Sequence, residues 1–307
     1  MVRERLVNAW ALIKQTFSEA MDDNVPRLAA ALAYYTVFSL APLLIIVIAV
    51  AGVFFGQEAV EGQIVGQIQG LVGSAGAEAI EAMVANAARP GTGVVATTIG
   101  AGALVYGATR VFSELQESLD AIWEVAPKPG QSLWKMVKYR FFSFTMVLAT
   151  GFLLLVSLVL SAAVAGFSDF LEQRVPGLSL FSLLLTHLVG LALTTGIFAA
   201  IFKVVPDAEI RWRDVWMGAF VTAVFFSLGR FALGEYLGRG AFASSYGAAG
   251  SFVVVLFWVY YSAQIVFFGA EFTQVYARRS GSPVRPKSDA VATERSRPSL
   301  GGIAAQH

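Results

Sequence analysis

Cysteine is absent from the 307 residues, histidine occurs only twice, and charged side chains make up 14% of the chain. Each scarcity removes a class of chemistry. Without cysteine there are no disulfides and no thiolate metal sites, and the redox compartment stays open. The two histidines are His187, inside an apolar run, and His307, the last residue, so no zinc-ligand spacing can be assembled. No G-x-S-x-G nucleophile elbow and no Gly-Lys pair of a phosphate-binding loop occur, so serine-hydrolase and nucleoside-triphosphatase signatures are missing as well. Soluble proteins carry about 25% charged residues. A chain with 14% charged and 56% hydrophobic residues is too apolar for that class. Its net charge of +1 says nothing about a nucleic-acid partner; the placement of the 22 basic residues carries the information.

Long apolar runs are present instead. Residues 251–270 offer twenty positions without a charge, interrupted only by Ser251, Ser262 and Gln264. That is the length a helix needs to cross a hydrocarbon layer of about 30 Å. The run stops on Arg278 and Arg279, the cationic ending expected at a cytoplasmic membrane face. A membrane barrel would show short alternating segments, so the expected class is all-α, a polytopic membrane protein of six helices. The spans fall at about 28–55, 93–108, 141–167, 180–202, 215–233 and 251–272.

Residues 1–26 read as an N-terminal interfacial helix, not a cleavable signal. Leu6, Trp10, Ile13 and Phe17 recur at helical spacing, while Arg5, Lys14, Gln15 and Glu19 take other faces. Residues 27–279 form the membrane domain. Pro42 inside the first span is expected to kink it. Between the first two spans, residues 57–90 read as short amphipathic helices outside the cytoplasm, with Gly62, Gly66 and Gly70 at intervals of four. Small residues in the fifth span, among them Gly218, Ala219, Thr222 and Ala223, mark close helix packing. Gly247 and Gly269 are read as structural glycines around the sixth span. Residues 280–307 have little to bury and read as a disordered cytoplasmic tail.

Eighteen of the 22 basic residues lie at the termini and in the second and fourth connections, against Arg89, Arg174, Arg230 and Arg239 on the other side. The positive-inside rule then puts both termini in the cytoplasm.

The segments AAALAYYTVFSLAPLL (29–44), YGATRVFSELQESLDAIWEV (106–125), VPDAEIRWRDVWMGA (205–219) and YGAAGSFVVVLFWVYYSAQIVFFGAEFTQVYA (246–277) resemble the YihY/BrkB family of bacterial inner-membrane proteins. The resemblance covers roughly residues 5–280 and rests on architectural motifs, not catalytic ones. It implies six spans and a bacterial cytoplasmic membrane. Members have carried a ribonuclease BN label, treated as mistaken, and others have been named a serum-resistance virulence factor.

Polar residues at depth are the remaining candidates for function. Glu271 follows twenty uncharged positions, and a buried acid there calls for a partner, expected to be Arg110 or Lys203, with the pair bordering a cavity open to the cytoplasm. Gln264 and His187 read as interhelical hydrogen-bonding groups, Tyr34 and Tyr35 as packing or path-lining residues, and Arg110 with Glu114 as an i,i+4 pair. Glu114, Glu117, Asp120 and Glu124 read as the solvated face of an amphipathic helix. The expected function is transport or lipid and amphipath handling across the membrane, without enzymatic chemistry, cofactor or metal. The alternative is a non-catalytic envelope-organising protein, and a ribonuclease is less favoured. The expected partners are the lipid bilayer, a lipid or small amphipathic substrate and a second copy of the chain.

Overall fold

The structure is a computed structural model that describes residues 2–56, 94–129, 179–238, 250–280, 282 and 284–293, with scattered helical positions between 62 and 82. Six long helices dominate it: α1 (Val2–Asp22), α2 (Val25–Phe55), α3 (Val94–Ile122), α4 (Ser179–Val204), α5 (Trp212–Gly238) and α6 (Gly250–Arg279). Among the described residues three stretches are long and apolar enough to cross a membrane, His187–Val204, Trp212–Ala232 and Phe252–Arg279, and Val25–Leu40 is a shorter apolar stretch. The expected span at 141–167 and Gly247 lie outside the described residues.

The helices meet through small residues. On α5, Gly218-Ala219 is followed by Thr222; on α6, Gly269-Ala270 is followed by Thr273. Each threonine hydroxyl bonds back to its own helix, Thr222 to the Gly218 carbonyl at 2.7 Å and Thr273 to the Gly269 carbonyl at 2.6 Å. Each threonine also sits over the glycine of the other helix, where an added Cβ would run into its hydroxyl. A third glycine, Gly229, makes room for the Tyr261 ring in the same way. The reversed order of these contacts makes α5 and α6 antiparallel, and close backbone approach is how helices without a hydrophobic driving force between them gain packing energy. Around this seam Phe198 stacks near Phe202 and meets Phe226 edge-on at 5.5 Å, and Phe226 reaches Trp258 at 5.3 Å.

Asn24 turns the chain from α1 into α2 in a left-handed conformation (φ 55°), which asparagine tolerates, and a proline in the first turn of α2 suits the start of a helix. The helix runs on through Pro42 to Phe55. Ile80, from the 57–90 stretch, packs against Val37 and Val255.

One end of the bundle gathers the α1–α2 corner, the end of α3, the α4–α5 connection and the end of α6. Here the expectation of an all-helical chain with a disordered tail needs correcting. Strand β1 (Val125–Pro127) pairs antiparallel with β4 (Ala290–Ala292), and β2 (Ala208–Glu209) with β3 (Arg285–Pro286). Residues 282–293 therefore clasp two loops. The backbone of Lys287 donates to the Asp207 carbonyl at 2.9 Å, and its ammonium bonds the carbonyls of Pro206 at 2.6 Å and Val204 at 3.3 Å. Thr293 donates its N–H and hydroxyl to the carbonyl of Glu124, a residue held at φ 54°. The segment buries little apolar surface, so composition reads as disorder; its order comes from backbone pairing with distant loops.

The acidic face of α3 is corrected with it. Asp120 is buried, and its carboxylate accepts the Asp207 N–H at 2.6 Å. Only Glu117 of the four acids is exposed. A helical wheel shows the α3 apolar stripe but not the loops that cover its other side.

Candidate functional site

A cavity of about 230 Å³ lies between the C-terminal turns of α1, the start of α2, α5 and α6. Its walls include Phe17 and Met21 of α1, Phe225 of α5, and Ile265 and Phe268 of α6. Three of these wall residues are also outward-facing, Phe17 at 61% exposed, Met21 at 54% and Phe225 at 48%, so the cavity opens on the bundle's outer apolar surface. Among the described residues no charged side chain lines it. Its polar groups are Thr222, already bonded to Gly218, and Tyr261 and Gln264, which make no hydrogen bond among the described residues. Gln264, expected to bridge helices, instead faces this space.

Helix α1 is held against α6 by the arginines that end it. Arg279 donates to the Gln15 side chain at 2.6 and 2.9 Å and to the Ala11 carbonyl at 3.1 Å, and Arg278 forms an ion pair with Glu19. The opposite face of α1 presents Val7, Trp10, Ile13, Phe17 and Met21, all exposed. That pattern suits a helix lying along a membrane interface with its apolar face in the acyl boundary.

A second polar group joins α2 to α3. The Arg110 guanidinium lies 4.6 Å from the centroid of the Tyr35 ring and donates to its hydroxyl at 3.3 Å, while Glu114 at 3.8 Å and Glu117 at 3.9 Å balance its charge. Burial pushes the Glu114 carboxyl up, Glu117 adds to this, and Arg110 opposes it. Tyr34 meets the Tyr35 ring edge-on at 5.4 Å and remains largely exposed. This cluster sets one guanidinium against two carboxylates and a phenol, with Glu117 and Tyr34 at its exposed edge.

Glu271 is fully buried, and its carboxyl faces the Asp23 carboxyl at the α1–α2 corner with no basic group beside it among the described residues. The expected partner is not there. Arg110 is engaged with Tyr35, Glu114 and Glu117, and the Lys203 ammonium bonds the Ile210 carbonyl and lies 5.6 Å from the Trp212 ring. The charges Glu271 feels are those of Asp23, Glu124 and Asp22. The pairing fails because Glu271 faces the α1–α2 corner, whereas the nearby arginines of α6 turn outward to α1. His187 is exposed on α4 beside Leu184 and Leu188, away from the cavity lining. Among the described residues no group of three or more acids or histidines is placed to hold a metal ion.

Long apolar helices locked by Gly–Thr contacts, with one outward-facing amphipathic helix, define a predominantly helical membrane protein. The chain belongs to the BrkB family: the family described as "Virulence factor BrkB" matches residues 16–294. It is 27% identical to a UPF0761 membrane protein of Alteromonas mediterranea over 254 residues, 82% of this chain and 83% of that one. A UPF0761 membrane protein of Stenotrophomonas maltophilia is 30% identical over 275 residues, 86% of this chain but 60% of the relative. A third, from Pseudoalteromonas atlantica, is 25% identical over 281 residues, covering 90% and 89%. No solved structure matches.

Proposed function

We propose that the protein moves or redistributes a lipid or small amphipathic molecule across the bacterial cytoplasmic membrane, without catalysing a reaction. The observation that carries this reading is the apolar cavity whose mouth opens on an outward-facing hydrophobic surface, a shape reached from lipid more readily than from water.

The strand-bearing end is the cytoplasmic one in this reading. It gathers Lys128, Lys203, Arg211, Arg213 and Lys287, the basic excess that marks the inside. The cavity then lies in the inner half of the bilayer, beside an interfacial α1. A molecule from the inner leaflet would enter past Phe17 and Met21 and meet Gln264, fourteen residues from the start of α6 and fifteen from its end.

The test is reconstitution of the purified protein into liposomes, following transbilayer movement of a fluorescent single-chain amphipath. Movement faster than in protein-free liposomes is the expected result. Equal rates for a panel of neutral, anionic and zwitterionic amphipaths with and without protein would overturn the reading in favour of an organising role.

A further inference from the structure

The cavity's lining says what kind of head group it admits, an inference that rests on the transport reading above. An uncharged wall is selective, because a phosphate or ammonium brought into it would be a desolvated charge without a counterion. The two neutral groups with unused hydrogen-bonding capacity, the Gln264 amide and the Tyr261 hydroxyl, lie three residues apart on one face of α6. Polar groups in a hydrocarbon layer normally find a partner within the protein, and among the described residues these have none. Gly229 lets the Tyr261 ring and hydroxyl lie against α5, beside the cavity wall formed by Phe225.

Size narrows the ligand further. The cavity's volume of about 230 Å³ falls below the range of about 300–1,000 Å³ typical of sites for drug-sized ligands. Along α6 its walls run from Gly269 to Tyr261, eight residues, or about 12 Å at 1.5 Å per residue. A narrow slot of that length takes one alkyl chain.

We infer that this cavity binds a single-chain amphipath with a small uncharged hydrogen-bonding head, such as a fatty alcohol or a monoacylglycerol, and that Gln264 and Tyr261 hold that head. The amide offers both a donor and an acceptor, and the phenol offers the same on a rigid ring, so a hydroxyl can bond both at once. A phospholipid head is excluded by charge and by size. Its chain alone could enter, but would leave both polar groups unsatisfied.

The probes are a photoactivatable fatty alcohol and a photoactivatable lysophosphatidic acid of equal chain length, each added to the full chain in neutral-lipid nanodiscs. The alcohol is expected to label peptides carrying Phe17, Phe225 or Phe268, and the anion to label them about tenfold less. Gln264→Leu and Tyr261→Phe should each cut alcohol labelling about five- to tenfold, the loss of one buried hydrogen bond. Labelling unchanged in both variants, equal labelling by the anion, or no pocket labelling by either probe would overturn the inference. Tyr261→Phe keeps the ring and serves as the decisive variant if Gln264→Leu does not fold. Transport that persists when the pocket takes no alcohol overturns this inference alone. A wild-type chain that binds the alcohol but moves no amphipath overturns only the transport reading.

Discussion

The C-terminal end and the middle of α6 are furnished in opposite ways. Beyond its C-terminus, strands β3 and β4 are pinned by the chain's own groups: Lys287 serves two carbonyls, Thr293 gives two hydrogen bonds to one carbonyl, and Asp120 takes the N–H of Asp207, whose own carboxylate keeps one buried oxygen without a partner among the described residues. Midway along the helix, Gln264 and Tyr261 line the cavity and make no hydrogen bond among the described residues. The first region is held by contacts the chain makes with itself. The second is completed only by something that arrives. Stability should therefore depend on the first and on the helix seam, and activity on the second.

The largest stability effect is expected at the seam. Gly218→Val places its branched side chain where the Thr273 hydroxyl sits, and overpacking of this kind costs about 1–3 kcal/mol. Thermal unfolding in detergent should show it, and in Gly218→Ala a second change that also removes the facing Cβ, Thr273→Gly, should recover part of the loss. No recovery would mean that the two helices are not held by this contact.

Next comes the clasp. Lys287→Ala removes ammonium bonds to Pro206 and Val204 and should cost about 1–2 kcal/mol. Amide exchange at Ala290 and Thr293 should accelerate while exchange within α5 stays slow. Uniform acceleration would show that the clasp and the bundle unfold together.

The clasp also carries a pH dependence. Burial is the main cause that pushes the Asp120 carboxyl up to about 7; the charges of Asp207 and Glu117 add to it, and the Asp207 N–H and Lys287 oppose it. A carboxyl raised in the folded state binds its proton longer than in the unfolded chain, where the value is 3.8. Its contribution is thus complete below about 4, declines as pH rises to about 7, and is flat above that. Melting temperature should fall across this window, and Asp120→Asn, which keeps the acceptor, should flatten the decline. A slope unchanged in the variant would place the titration elsewhere.

The smallest stability effect belongs to the cavity. Gln264→Leu exchanges an unpaired amide for an apolar side chain in lipid and should change unfolding by less than about 0.5 kcal/mol.

How much of this was legible in the chain differs between the same two regions. The length of α6, its arginine ending and the small residues of the fifth span are local patterns, and α6, Gly218 and Thr222 stand where those patterns put them. The paired Gly-Ala and Thr spacing in α5 and α6 was a readable signal of their mutual contact. Gln264 was visible as a polar residue at depth, but its neighbours come from α1, α2 and α5, and no spacing within one helix reveals such a gathering. Tyr261 was passed over for that reason. The clasp was illegible because residues 285–292 pair with loops some 80 and 165 residues earlier in the chain. Glu271 was misread for a related cause: the basic residues nearest in expectation were already occupied.

The most direct test compares transport by two variants in liposomes at equal amounts of folded protein. The account predicts that Gln264→Leu moves a fluorescent fatty alcohol at least about fivefold more slowly than wild type while melting at the same temperature, and that Lys287→Ala melts lower while its surviving folded fraction transports at the wild-type rate. Wild-type transport by Gln264→Leu, with lost transport in folded Lys287→Ala, would contradict it.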